Sequence, residues 1–228
     1  MEYSLHRQLK EIYAGEDART EVKLGKWRID AVVDDELIEI QLASLSAIRR
    51  KIMALTCEHA VRVVKPIMAN KLLIKRRRKN GKVAERRRSP KRGQMLDVFD
   101  ELIYFRGVFP HPNLTLDLAL VDVEEWRYPG HGRRWRRRDR DHQVEDQHLV
   151  AIHDTCQLAT PADLISLLPD SLPALFDTAE LAVAAGIARY RAQRIAYCLR
   201  HMHAATIVGK RGRSHLYRLD HKRRAASA

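Results

Sequence analysis

Cysteine is scarce: the 228 residues hold only Cys57, Cys156 and Cys198. They are odd in number and widely separated, and no CxxC spacing links them. That excludes a disulfide framework and a cysteine zinc site, and it predicts reduced core thiols in a cytosolic protein. Nowhere does an uninterrupted apolar segment reach the ~18 residues needed to span a bilayer. The N-terminal Met1-Glu2-Tyr3-Ser4-Leu5-His6 has no basic stretch leading into an apolar run, so the expectation is a soluble cytoplasmic chain with no membrane partner. The eleven histidines lack the paired spacing of a zinc enzyme, and no internal repeat is visible.

What is abundant is positive charge. Lys and Arg number 42 against 29 Asp and Glu, a formal net charge of +13. An excess of this kind favours a polyanionic partner, because each neutralised phosphate releases condensed counterions. Hydrophobic residues make up 45%, enough to build real cores in one large domain or two modest ones.

Leu5, Leu9, Ile12 and Tyr13 mark an amphipathic helix over 3–14, ended by Gly15. Three strands follow, over about 20–24, 27–33 and 37–42, separated by Gly25 and the acidic turn Asp34-Asp35-Glu36. Ser44 caps a second helix with Leu45, Ile48, Ile52 and Leu55 on its apolar face, and Val61-Arg62-Val63-Val64 reads as a buried strand stopped near Pro66. Runs 71–78 and 82–88 flank Asn80-Gly81, the signal for a two-residue turn in a basic hairpin. A helix over 95–105 and a strand over 114–123 come next, with Glu124-Glu125 read as a solvated strand end. The basic tract Gly130 to Arg140 suggests a loop, since charge this dense repels itself. The expected organisation is thus a domain over 1–128, a basic linker or loop over 129–158 and a C-terminal domain over 159–228.

In the last third, Thr160-Pro161 opens a helix. Thr178 caps a short helix broken by Gly186, and a longer helix runs from about 189 to 203. Its wheel buries Ala192, Ile195, Ala196, Leu199 and Met202 and exposes Tyr190, Gln193, Arg194, Tyr197 and His201. A small hairpin follows with Gly209-Lys210-Arg211-Gly212-Arg213 at its tip. This order of pieces closely resembles the winged helix-turn-helix family. The resemblance implies that Arg189, Tyr190, Gln193 and Arg194 enter a major groove, while Lys210, Arg211 and Arg213 touch the backbone or minor groove.

Near the N-terminus, Arg28-Ile29-Asp30 is followed nine residues on by Ile38-Glu39-Ile40-Gln41. In adjacent strands Asp30 and Glu39 can reach one end of the sheet, with Gln41 on the same face as Glu39. Two converging carboxylates make a hard oxygen site suited to Mg2+ or Mn2+, which can activate water against a phosphodiester. The bland alternative is a salt-bridged pair at a strand end. The apolar neighbours Ile29, Ala31, Ile38 and Ile40 argue against it, because a carboxylate in an apolar strand is costly unless paired or metal-bound.

Helix, three-strand meander, helix and strand, with these acids in the second and third strands, resembles the PD-(D/E)XK nuclease superfamily over roughly residues 2–67. The resemblance implies an α/β restriction endonuclease-like core in which Asp30 and Glu39 hold the metal and Gln41 stands where lysine is commonest. Lys51 on the following helix is a substitute for that charge. By helical phase Glu2 faces the sheet and assists while Glu11 faces water, and His6, one turn after Glu2, can donate to a phosphate or orient a carboxylate. Leu5-His6 with Leu9-Lys10, the Glu39 segment and Arg88-Ser89-Pro90-Lys91-Arg92-Gly93 also look like a bacterial set of such nuclease-like proteins, with Lys91 and Arg92 on DNA. The resulting expectation is a metal-dependent DNA endonuclease, with a homodimer allowed. A catalytically inactive DNA-binding regulator and an RNA-associated basic protein are its rivals.

Overall fold

The computed structural model describes residues 3–130 and 141–220, and its architecture is mixed α/β. Helix α1 (Ser4–Ala14) lays Leu5, Leu9 and Ala14 against the sheet and ends at Gly15, whose φ of 74° lies in the left-handed region. Ile12, expected on the apolar stripe, is 55% exposed, and Lys10 is buried through its ion pair with Glu21. Strands β1 (Arg19–Leu24), β2 (Trp27–Val33) and β3 (Glu36–Ile40) form an antiparallel meander. Asp34 and Asp35, both at positive φ, make the two-residue turn between β2 and β3.

Ser44 caps a 3-10 turn (Leu45–Ile48) that runs into α2 (Arg49–Leu55), and Leu45, Ile48, Ile52 and Leu55 are all buried. This crossover brings β4 (Val61–Arg76) parallel to β3. β4 does not stop near Pro66 as the sequence suggested. It continues through the proline and pairs with β5 (Val83–Arg88) at its far end. Pro66 is tolerated because β3 pairing has ended at Val64 and β5 pairing begins only at Leu72, so that edge has no ladder bond to lose there. Ser89 and Gly93 instead donate to Lys71 O and Met68 O, closing the edge with the segment after β5. The β4–β5 turn is wider than the two residues expected. Gly81 N–H bonds to Arg78 O and Arg77 N–H to Lys82 O, so Asn80-Gly81 ends the turn rather than centring it.

After α3 (Val98–Phe105), β6 (Leu114–Pro129) runs parallel to β4, and β7 (His142–Leu158) returns antiparallel along it. The basic linker expected over 129–158 is therefore a sheet strand from residue 142 onward, and residues 131–140 lie outside the described residues. The polar composition hid the strand: β7 is the sheet's edge, and α1 packs on it through Leu149 and Ile152 while much of the strand faces water. Glu125 is likewise no solvated strand end. It is buried mid-strand and bonded by Lys71 at 2.6 Å and Gln147 at 3.0 Å.

The seven-stranded sheet has the order β1-β2-β3-β4-β6-β7, with β5 on β4. Helix α1 covers one face, and α2, α3 and the C-terminal elements cover the other. These last are α4 (Pro161–Ser166), β8 (Leu175–Phe176), α5 (Thr178–Ala184), α6 (Arg189–His201), β9 (Ala205–Arg211) and β10 (Ser214–Leu219), with a small sheet ordered β8-β10-β9. Asp177, not Thr178, caps α5, accepting from the backbone of Ala179 and Glu180. Leu164, Phe176, Ile195, Cys198 and Leu199 belong to the same buried cluster as Phe99, Leu102, Leu116 and Val63. The C-terminal unit thus shares its core with the large sheet rather than standing on a separate one. Of the three cysteines only Cys198 is a buried core thiol, its pKa pushed up to about 12 by burial. Cys57 is exposed. Among the described residues no helix is long and apolar enough to cross a membrane.

Candidate active site

Pairing between β2 and β3 ends at Ala31 and Ile38, and the strands part where Asp30 and Glu39 stand. Both carboxylates line one open pocket of about 490 Å3, together with Tyr3, His6, Glu21, Arg28 and Gln41. Each acid is approached from a different side of the sheet. His6 on α1 sets Nε2 3.3 Å from Asp30 Oδ2, and the Ile40 N–H donates to the same oxygen at 2.7 Å. Lys51 on α2 places Nζ 2.5 Å from Glu39 Oε2 and also donates to Arg28 O.

The two acids are pushed apart electrostatically. For Asp30, burial works to raise the pKa, but the His6 and Ile40 hydrogen bonds and the Lys51 charge outweigh it and hold the carboxyl below its ordinary value. For Glu39, burial and repulsion from Asp30 prevail over Lys51 and His6, and the pKa is raised. Gln41 is buried, and its Nε2 donates to Ser44 O at 2.8 Å. The loop behind it is pinned: buried Lys65 donates to Ala43 O at 2.6 Å, and Glu101 accepts from Ser44 Oγ and the Leu45 N–H.

The structure therefore brings together Asp30, Glu39 and Gln41, with His6 and Lys51 beside them. Glu2 lies outside the described residues, and Glu11 is exposed as expected. Among the described residues no group of three or more His, Cys, Asp or Glu is arranged to hold a metal ion. Sequence reasoning missed Lys10 and Glu21. The one available signal for Glu21 was that a tight turn at Gly25 sets it opposite Asp30.

The basic residues singled out for nucleic acid lie elsewhere. Arg189, Gln193, Lys210, Arg213, Lys91 and Arg92 are exposed, and Tyr190 is 58% exposed. Arg194, expected to face a groove, reaches back to Asp100 on α3 at 2.9 Å and lies over the Tyr190 ring. Arg191 pairs with Asp97, the residue just before α3, and with Asp100 on α3. Arg211 is held by Glu180 at 2.7 Å. Asp100 of α3 thus covers part of the face that the helical wheel left bare.

Residues 3–159 match the family described as Domain of unknown function (DUF8091). The match ends one residue beyond β7, so it takes in every strand of the large sheet and leaves α4 to β10 outside. A protein of Treponema pallidum (strain Nichols), described as an uncharacterized protein, is 28% identical over 221 residues, covering 96% of this chain and 86% of that one. No solved structure matches.

Proposed function

This chain belongs to the DUF8091 family, and we propose that it is a divalent-metal-dependent DNA endonuclease with a PD-(D/E)XK-like core and a winged helix-turn-helix at its C-terminus. The observation that carries the reading is the pair of carboxylates, Asp30 and Glu39, in one open pocket at the point where β2 and β3 part. The order α1-β1-β2-β3-α2-β4, with an antiparallel meander and β4 parallel to β3, supports the core. Two helices, α5 and α6, followed by the β9–β10 hairpin with exposed Lys210 and Arg213 at its end support the winged helix.

The donor set fits a hard cation: Asp30 is held ionised, Glu39 is beside it, and the committed amide nitrogen of Gln41 leaves its carbonyl oxygen as the end able to ligate. When bound, a magnesium or manganese ion would polarise the phosphodiester and acidify a water. His6 orients Asp30 by hydrogen bonding to it. Lys51 supplies the positive charge that Gln41 cannot, and offsets part of the charge carried by the two acids. The exposed arginines of β5, Lys91 and Arg92, and the tip of the β9–β10 hairpin hold DNA through its phosphates.

A second reading, a catalytically inactive DNA-binding regulator, is favoured by the Lys51 ammonium sitting 2.5 Å from the Glu39 oxygen a cation would take. Plasmid and oligonucleotide cleavage with and without magnesium or manganese decides between them. The nuclease reading expects metal-dependent cutting that disappears in Asp30→Ala and Glu39→Ala while DNA binding persists. Salt-sensitive binding with no cutting in either metal would overturn it in favour of the regulator.

A further inference from the structure

The strand register sets three acids in one row. Thr20 pairs with Ala31 and Val22 with Ile29, leaving Glu21 opposite Asp30; Ala31 pairs with Ile38, leaving Asp30 next to Glu39. Glu21 drops out of the ladder with φ at 54°, a left-handed conformation uncommon for a residue that is not glycine. Its carboxylate is fully committed. One oxygen takes the ammonium of Lys10, whose side chain is 10% exposed, and the other takes Arg28 Nε at 2.5 Å. Glu21 is thus a holder of cations rather than a further metal ligand. Arg28 is held only through Nε among the described residues, its side chain is 74% exposed, and it lines the pocket beside Asp30 and Glu39.

We propose that Arg28 is an anion-binding residue of this pocket, its two terminal nitrogens gripping non-bridging oxygens of a phosphate group, and that Glu21 is the positioning residue that aims it. The inference deepens the nuclease reading, from which the choice of phosphate is taken. A guanidinium fixed at Nε keeps a planar fork that matches two phosphate oxygens, which a lysine cannot reproduce. The charge around the pocket permits an anion. Lys10, Arg28 and Lys51 balance Glu21, Asp30 and Glu39, so a phosphate does not meet a net carboxylate field even before a divalent cation adds to it.

The test titrates full-length wild type, Arg28→Ala, Arg28→Lys and Glu21→Gln with thymidine 3′,5′-bisphosphate, following the Arg28 Nε–Hε resonance and an independent calorimetric affinity. A charge-assisted bond is worth about 1.5–3 kcal/mol, so Arg28→Ala should weaken binding by roughly 10- to 100-fold. Arg28→Lys should recover part of that loss, and Glu21→Gln should weaken binding while broadening the Arg28 resonance. Melting temperatures accompany these measurements, because Glu21→Gln also removes the charge facing buried Lys10. In single-turnover cleavage at saturating enzyme Arg28→Ala should lower the rate constant about 100-fold, and its DNA affinity should fall less than its bisphosphate affinity, because other basic residues hold other phosphates. Arg28→Ala binding the bisphosphate as tightly as wild type would overturn the proposal. Should wild type bind the bisphosphate through Arg28 yet never cut DNA, the anion site stands and the nuclease reading falls. Should Asp30→Ala abolish cutting while Arg28→Ala changes neither binding nor rate, the reverse holds.

Discussion

Replacing Lys51 by methionine tests the electrostatics of the pocket most directly. Lys51 and Glu39 are each 11% exposed at the side chain and stand 2.5 Å apart, so the change leaves a nearly buried carboxylate without its cation. Removing one partner of a buried pair costs about 3–5 kcal/mol. The lower end, about 3 kcal/mol, is expected here, because Glu39 has an exit: burial and Asp30 already raise its pKa, and it can take up a proton instead of staying charged. In a chain of this length, about 3 kcal/mol corresponds to a melting temperature lower by roughly 6–12 °C. The pH dependence carries the sign. A carboxyl whose pKa is raised on folding contributes stability at low pH that is lost as pH rises through the folded value. Without Lys51 that folded value climbs further and the loss grows. The gap between wild type and Lys51→Met should therefore be widest at neutral pH and close as pH falls through and below the folded pKa of Glu39. Adding Glu39→Gln to Lys51→Met should restore most of the stability at neutral pH. Thermal melts by circular dichroism over about pH 4 to 8 read all of this. A gap under about 0.5 kcal/mol, or one that does not vary with pH, would refute the reasoning, since exposed pairs behave that way.

Two further outcomes concern the scaffold. A Cβ at Gly93 would lie 2.5 Å from the Met68 carbonyl oxygen, a backbone atom that cannot swing aside, so Gly93→Ala should cost about 1–3 kcal/mol in denaturant unfolding; a neutral result would show that the segment after β5 is not held against β4. Leu199 on α6 is fully buried in the cluster that contains Leu116 of β6. Leu199→Ala should cost about 2–5 kcal/mol and shift one cooperative transition seen alike by every probe, whereas a separate early transition of the C-terminal unit would contradict the shared core.

Local rules carried far where neighbours in sequence are neighbours in space. The ends of α1 at Gly15, the turns at Gly25 and Asp34-Asp35, the Ser44 cap and the Thr160-Pro161 start of α4 all follow from backbone preferences of single residues or pairs. The placement of Asp30 and Glu39 near one another was legible from the short acidic turn between their strands, although Glu36 joins β3 and the turn closes at Asp34-Asp35, one residue tighter than the expected Asp34-Asp35-Glu36. Where these rules failed, a distant partner had changed the meaning of a residue. Pro66 reads as a strand stop until the edge it disrupts turns out to have no ladder there. The polar run of β7 reads as a loop until β6 on one side and α1 above supply its hydrogen bonds and its apolar cover. Arg194 reads as a free groove contact until Asp100 of α3, ninety-four residues away in sequence, arrives beside it.

The amino-acid sequence by itself determined the helices, the first three strands and the pair of acids, because those depend on dihedral preference and on period. Only the tertiary structure decided which cations attend those acids, that Lys51 reaches Glu39 from one side of the sheet while His6 reaches Asp30 from the other, and that both halves of the chain share one core. Those are matters of long-range contact, set by how a sheet and its covering helices exclude water, and no local pattern encodes them.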